Sequence, residues 1–141
     1  MVATTPASRK AKGRRLQQAV RQDLVDHLGI DPGDVQSTAM GQAGCDLYLS
    51  PAARGRFPFG VECKHQERLA LPAWWEQCST NAEKEGLTPL LLVKQSRKEP
   101  LAVLRWSDLI RLIREIRERY GFNDDHRWEN LAEGLTGGER S

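Results

Sequence analysis

Residues 44–64 contain two short runs that are typical of β-strands, joined by a segment with the composition of a turn. The first run spans residues 46–50 and the second spans residues 57–64. The connecting residues 51–56 include Pro, Gly and two Arg, a composition that favours a turn. We therefore predict a hairpin in which the start of the first strand lies beside the end of the second.

Three charged side chains fall where this hairpin would bring them together: Asp46, Glu62 and Lys64. Glu62 and Lys64 are two positions apart on one strand, so they share a face of the sheet, and Val61 and Cys63 point to the opposite face and the core. Two carboxylates and an ammonium group at one end of a sheet suit a hard divalent cation and an ordered water molecule.

The flanking segments predict an αβββαββα order of elements. Apolar residues recur every four positions over 12–28, at Leu16, Val20, Leu24 and Leu28, which indicates a helix. A short strand is expected at 35–40 before the hairpin. Pro72 opens a second helix that ends near Gly86. The apolar run 88–95 and the segment 101–106 indicate two further strands, and a last helix is expected over 107–120 with Ser107 as its cap.

The segment Gly-Cys-Asp at 44–46, followed by Val-Glu-Cys-Lys at 61–64 in this order of elements, resembles the PD-(D/E)XK nuclease superfamily. The resemblance is strongest to its Holliday junction resolvase-like and phage-type endonucleases, and it covers about residues 12–106. It implies an α/β fold with a restriction-endonuclease-like core, in which helices flank a central mixed β-sheet. The Pro of the superfamily signature is absent here, because Cys45 precedes Asp46.

The same resemblance implies a metal-dependent DNA endonuclease that hydrolyses phosphodiester bonds. Asp46, Glu62 and the main-chain carbonyl of Cys63 would bind Mg²⁺, for which Mn²⁺ would substitute, and Lys64 would stabilise charge or orient water. Gln77, on the helix after the signature, would complete the catalytic residues. We expect structure-selective cleavage of branched DNA, with duplex DNA also bound, and a phage or prophage origin.

Basic residues outside the signature are candidate DNA contacts, because phosphate contacts supply most nonspecific affinity for DNA. Their alternative role is to form ordinary solvated surface. They lie on the first helix, in the turn 51–56 and near the turn 96–100: Arg14, Arg15, Arg54, Arg56, Lys94, Arg97 and Lys98. A four-way junction presents strands related by a two-fold axis, so an enzyme that cuts it is expected to be a homodimer.

A length of 141 residues indicates one domain, which we place at residues 12–120. A basic, flexible arm is expected at 1–11 and an acidic, Gly-rich tail at 121–141. The chain has neither a signal peptide nor an apolar run of about 20 residues, so we expect no membrane contact and a cytoplasmic location, in the host cytoplasm if the protein is phage encoded.

Two other functions stay open at this point. The first is a catalytically inactive DNA-binding or assembly module with the same fold, since a fold alone does not fix function. The second is a sequence-specific restriction-type endonuclease, which would need a dedicated recognition element.

Overall fold

A computed structural model of the chain describes residues 5–39 and 42–120. It contains α1 (Pro6–Leu28), β1 (Val35–Ser37), β2 (Leu47–Leu49), α2 (Pro51–Arg56), β3 (Phe59–His65), α3 (Leu71–Lys84), β4 (Thr88–Lys94), β5 (Leu101–Val103) and α4 (Trp106–Tyr120). A single turn of 3₁₀ helix at Pro32–Asp34 leads into β1. The chain is therefore of the α/β class, and its order of elements is the predicted one with α2 added.

The first helix begins six residues before its predicted start, so residues 6–11 of the expected flexible arm lie on this helix. The side chain of Thr5 accepts a hydrogen bond from the Ser8 N–H, and Pro6 occupies the first turn. Both features are strong helix-start signals, because the first N–H groups of a helix have no partner within it. The Thr5 side chain supplies one of them with an acceptor, and Pro6 has no N–H group that needs one. The basic residues of the arm therefore lie on a helix. The predicted acidic tail at 121–141 lies outside the described residues.

The predicted hairpin between residues 46–50 and 57–64 is wrong. β2 pairs instead with β1 in an antiparallel ladder that sets Val35 opposite Leu49. β3 pairs with β4 in parallel, and β4 pairs with β5 antiparallel, which gives a three-stranded mixed sheet in the order β3-β4-β5. The described strands thus form two ladders in place of one continuous central sheet.

The segment that the sequence suggested as a turn folds as α2. Ser50 caps it by accepting a hydrogen bond from the Ala53 N–H, and Pro51 stands at its first position. Ala53 is buried in the core. The Ser-Pro pair is a helix-start signal, and it outweighs the Gly and Arg content that favoured a turn.

The core lies on both sides of β3 and β4. On one side, apolar residues of α1 pack with strand residues of both ladders: Leu16, Val20, Leu24, Val35, Leu47, Leu49, Val61 and Cys63. On the other side, Trp74 and Cys78 of α3 pack with Leu91 and Val93 of β4. This arrangement confirms that Val61 and Cys63 face the core.

Gly60 sets how closely α3 approaches β3. A Cβ atom at this position would lie 2.6 Å from the Ala82 Cβ and 2.8 Å from the Ala82 Cα. Only glycine permits that spacing without displacement of a helix or strand. The contact fixes the polar residues of α3 at a short distance from the charged residues of β3.

Two compact units divide the chain, residues 1–104 and residues 105–141. The second is represented among the described residues by Arg105 and α4; Asp108 of α4 pairs with Arg105 and with Arg111. Among the described helices, none is both long and apolar enough to cross a membrane.

Candidate active site

A cleft of about 440 Å³ collects the residues of the sequence signature. We call it the carboxylate cleft. Among its lining residues are Asp46, Glu62, Cys63 and Lys64, together with Gln77 of α3. All five predicted catalytic and metal-binding residues are therefore brought together, although the hairpin that was expected to do so does not form.

Hydrogen bonds to β3 bring Asp46 to the carboxylate cleft. The Asp46 N–H donates to the Val61 carbonyl (2.9 Å), and the Asp46 carboxylate accepts a hydrogen bond from the Cys63 N–H through Oδ2 (2.7 Å). The side chain of Asp46 thus takes the place of a neighbouring strand at the edge of β3. Because N–H and C=O of one extended residue point to the same side of a strand, the Cys63 carbonyl lies at this edge too.

Glu62 is the least solvated charged group of the cleft. It is 3% exposed, and its Oε2 atom is buried without a hydrogen-bond partner among the described residues. The Nζ atom of Lys64 lies 3.7 Å from Glu62 Oε1. A buried carboxylate oxygen that lacks a partner is costly, so this atom indicates a site for a cation or a proton donor.

Burial shifts the acidity of both carboxyl groups in the same direction. Desolvation, with the nearby Asp46 charge, raises the pKa of Glu62 to about 7, while Lys64 and the Asn81 side chain oppose the rise. Desolvation also raises the pKa of Asp46, against the opposing effects of the Cys63 N–H, Lys64 and the Gln17 side chain. Two desolvated acids that repel each other favour a shared cation.

The donor set of the cleft fits a divalent cation that prefers oxygen ligands. It offers the buried Glu62 carboxylate, the half-buried Asp46 carboxylate and, at the same strand edge, a main-chain carbonyl. Mg²⁺ is commonly held by one or two carboxylates, with water and substrate phosphates completing its shell. Within residues 5–39 and 42–120, no group of three or more His, Cys, Asp or Glu side chains is placed to hold a metal ion. Burial raises the pKa of the Cys63 thiol, so its side chain stays neutral.

Two amide side chains of the cleft were not predicted as site residues. Gln17 of α1 is 5% exposed; its Oε1 accepts a hydrogen bond from the Ser37 hydroxyl (2.6 Å), and its side chain faces Asp46. Asn81 of α3 donates to the Gly44 carbonyl (3.2 Å) and lies beside Glu62.

Both amides carried a signal in the sequence. Gln17 occupies the buried face of α1, three positions before Val20, where an uncharged polar residue needs a partner. Asn81 is four positions after Gln77, on the same face of α3.

None of the seven predicted DNA contacts lines the carboxylate cleft. Arg14 and Arg15 are exposed on α1. Arg54 donates to the Leu49 carbonyl and pairs with Glu85 at 3.3 Å. The remaining four lie at the end of α2, at the end of β4 and in the turn that follows β4.

Arg56 donates to the Gly29 carbonyl at 3.0 Å. Lys94 donates to the Lys98 carbonyl and Lys98 to the Gln95 side chain, within the turn between β4 and β5. Arg97 is exposed in that turn, with a φ of 62°. A role for these residues in DNA binding stays a prediction.

Comparisons with known proteins agree with this geometry. The family model described as phage putative PDDEXK endonuclease matches residues 8–131. Protein D14 of Escherichia phage T5 is 29% identical over 118 residues, which cover 70% of this chain and 72% of that protein. No solved structure matches the chain significantly. Because the family model spans most of the chain and its signature residues meet in one cleft, we conclude that the chain belongs to the phage putative PDDEXK endonuclease family, a family of nucleases.

Proposed function

We propose that the chain is a metal-dependent DNA endonuclease and that the carboxylate cleft is its active site. The observation that carries the proposal is the buried, unpartnered Oε2 of Glu62 beside the half-buried Asp46 carboxylate and the Lys64 ammonium. Buried side-chain oxygens in purely structural positions mostly have a hydrogen-bond partner. A hydrolytic site built for a cation needs such an oxygen.

In this proposal, Asp46, Glu62 and the Cys63 carbonyl would hold Mg²⁺, or Mn²⁺ in its place. When bound, the metal would neutralise phosphate charge and lower the pKa of a water molecule. The Cys63 N–H fixes the orientation of Asp46 through its 2.7 Å hydrogen bond.

Lys64 and Gln77 supply the groups that act on the substrate. The Lys64 ammonium, on the same face of β3 as Glu62, stabilises the charge that develops on the phosphate oxygens as the bond to the leaving oxygen breaks. Gln77 is exposed at the rim of the cleft, where its amide can donate a hydrogen bond to a phosphate oxygen or to the attacking water.

Cleavage of labelled DNA in Mg²⁺, Mn²⁺ or EDTA tests this assignment. Asp46→Ala and Lys64→Ala should bind DNA in EDTA but fail to cut it in either metal. Lys84→Ala, which removes an exposed cation at the end of α3, serves as the matched control and should cut like the wild type. DNA binding without cleavage by the wild type in either metal would instead support an inactive binding or assembly module.

The preference for branched DNA is a further part of the proposal and rests on the sequence resemblance. Parallel assays on a four-way junction, a flap, linear duplex and single-stranded DNA separate a junction resolvase from a general endonuclease. Cleavage confined to one duplex sequence would indicate a restriction-type enzyme.

A resolvase would act as a homodimer, so that two active sites face opposed strands. The apolar stripe of α4, which includes Leu109, Leu112, Ile113 and Ile116, is the candidate contact surface. Sedimentation of the wild type and of Ile113→Lys tests this: the proposed dimer should dissociate in the variant. A monomeric wild type would remove the dimer from the proposal.

A further inference from the structure

A second cleft, of about 280 Å³, has three cationic side chains and one carboxylate in its lining. We call it the basic cleft. It is lined by Arg9, Lys12, His65, Gln66, Glu67 and Arg68. None of these residues belongs to the catalytic set or to the basic residues predicted as DNA contacts.

The basic cleft and the carboxylate cleft both include residues of α1 and β3. Along α1, Gly13 and Gln17 line the carboxylate cleft, and Arg9 and Lys12, about one turn earlier, line the basic cleft. Along β3, Lys64 lines the first and His65 lines the second. Since a strand rises about 3.3 Å per residue, the His65 backbone lies about 10 Å beyond that of Glu62.

The charge of the basic cleft is not neutralised from within. Glu67 supplies its one carboxylate, and that group already accepts a hydrogen bond from the Ser96 N–H (2.7 Å). Lys12 donates to the Ser96 hydroxyl (3.3 Å). Within the described ranges, the guanidinium groups of Arg9 and Arg68 form no ion pair, so both are available to an anion.

We propose that the basic cleft binds a backbone phosphate of the same DNA strand that is cut in the carboxylate cleft, with Arg9 and Arg68 as the principal contacts. This inference rests on the proposed function. Each strand of duplex DNA carries one phosphate at every linkage, so a distance of about 10 Å places the bound phosphate within a few linkages of the scissile one. Guanidinium groups match phosphate oxygens in a bidentate geometry, which would fix the register of the strand.

The test is the salt dependence of DNA binding in EDTA, where no cleavage occurs. Anisotropy of a labelled linear duplex is measured over a range of NaCl concentrations for the wild type and for Arg9→Ala/Arg68→Ala. Because each neutralised phosphate contributes about 0.9 to the slope of log affinity against log salt, loss of the one proposed phosphate contact should make the slope shallower by about 0.9. We also expect at least a 10-fold loss of affinity at low salt.

Two further variants make the result specific. Lys84→Ala/Arg114→Ala removes two exposed cations outside both clefts and should change affinity less than 2-fold. Arg9→Lys/Arg68→Lys keeps both charges and should keep the wild-type slope. The inference is overturned if the first Ala pair behaves like the control pair, or if the Lys pair loses as much slope as the Ala pair.

A parallel cleavage assay in Mg²⁺ and Mn²⁺ separates the two proposals. If the wild type binds DNA but cuts no substrate, the endonuclease proposal fails, while the slopes still decide whether the basic cleft contacts phosphate. If cleavage occurs and the Ala pair leaves the slope unchanged, the basic-cleft proposal alone fails.

Discussion

Replacing Glu62 by Gln is expected to stabilise the metal-free protein at pH 8 while abolishing cleavage. Burial and the Asp46 charge raise the pKa of Glu62 from its ordinary 4.5 to about 7, so at pH 8 the folded protein holds an ionised group that its surroundings disfavour. The interval from 4.5 to about 7 corresponds to about 3 kcal/mol of unfolding free energy, at about 1.4 kcal/mol per pH unit. Gln has nearly the shape of the Glu side chain and, like the protonated acid, carries no charge.

The direction of the pH dependence follows from the raised pKa. Below pH 4.5 the Glu62 carboxyl is protonated in both the folded and the unfolded state, so it imposes no ionisation penalty. Between pH 4.5 and about 7 the unfolded chain ionises more readily, and the wild type loses stability relative to the Gln variant. Above about pH 7 the difference between the two proteins should be constant.

Urea unfolding in EDTA at several pH values from 4 to 8 measures this difference. Glu76→Gln, which changes an exposed carboxylate on α3, is the matched control and should show little dependence on pH. The description of Glu62 as a desolvated carboxylate would be refuted in either of two cases. The Glu62→Gln variant could be less stable than the wild type at pH 8, or the difference in unfolding free energy between the two proteins could be the same at every pH.

Three further predictions concern the surroundings of Glu62. Mg²⁺ at 100 times its dissociation constant should stabilise the wild type by about 2.7 kcal/mol and leave the stability of Glu62→Gln unchanged, since a ligand stabilises only the state that binds it. Thermal melts with and without Mg²⁺ measure both effects. An equal rise in melting temperature in both proteins would place the metal elsewhere. Gln17→Leu should slow cleavage, because Asp46 loses a neighbouring amide, and it should lower the free energy of unfolding in urea by about 1–3 kcal/mol. Gln17→Glu serves as the comparison that keeps side-chain length. Unchanged cleavage kinetics in the Leu variant would show that the amide does not position Asp46. Gly60→Ala should destabilise the protein by about 1–3 kcal/mol in urea unfolding, because the new Cβ would lie 2.6 Å from that of Ala82. Gly55→Ala is the control and should not destabilise the protein, because a Cβ there would have no atom from outside its own helix within 4 Å. Similar free energies of unfolding for the two variants would refute the close-packing argument.

The charged residues of the candidate site could be predicted because their spacing alone restricts where they lie. Glu62 and Lys64 share a face of any strand that contains them, and Val61 and Cys63 then face the core. The long helices were predicted for a similar reason, since the period of their apolar residues and their Gly and Pro boundaries are local. Pairing of β2 is not local: residues 46–50 suit a strand next to either β1 or β3, and burial of Leu47 and Leu49 against Val35 decided for β1.

The sequence by itself determined the α/β class, the order of the main elements and the identity of the acid–acid–lysine set. Only the tertiary structure decided how Asp46 reaches Glu62, which is by hydrogen bonds to the edge of β3 in place of a hairpin. It also decided that Gln17 of α1 and Asn81 of α3 join the site. The reason is physical: the partner of a buried polar group is chosen by the packing of segments far apart in the chain, and no local pattern records that choice.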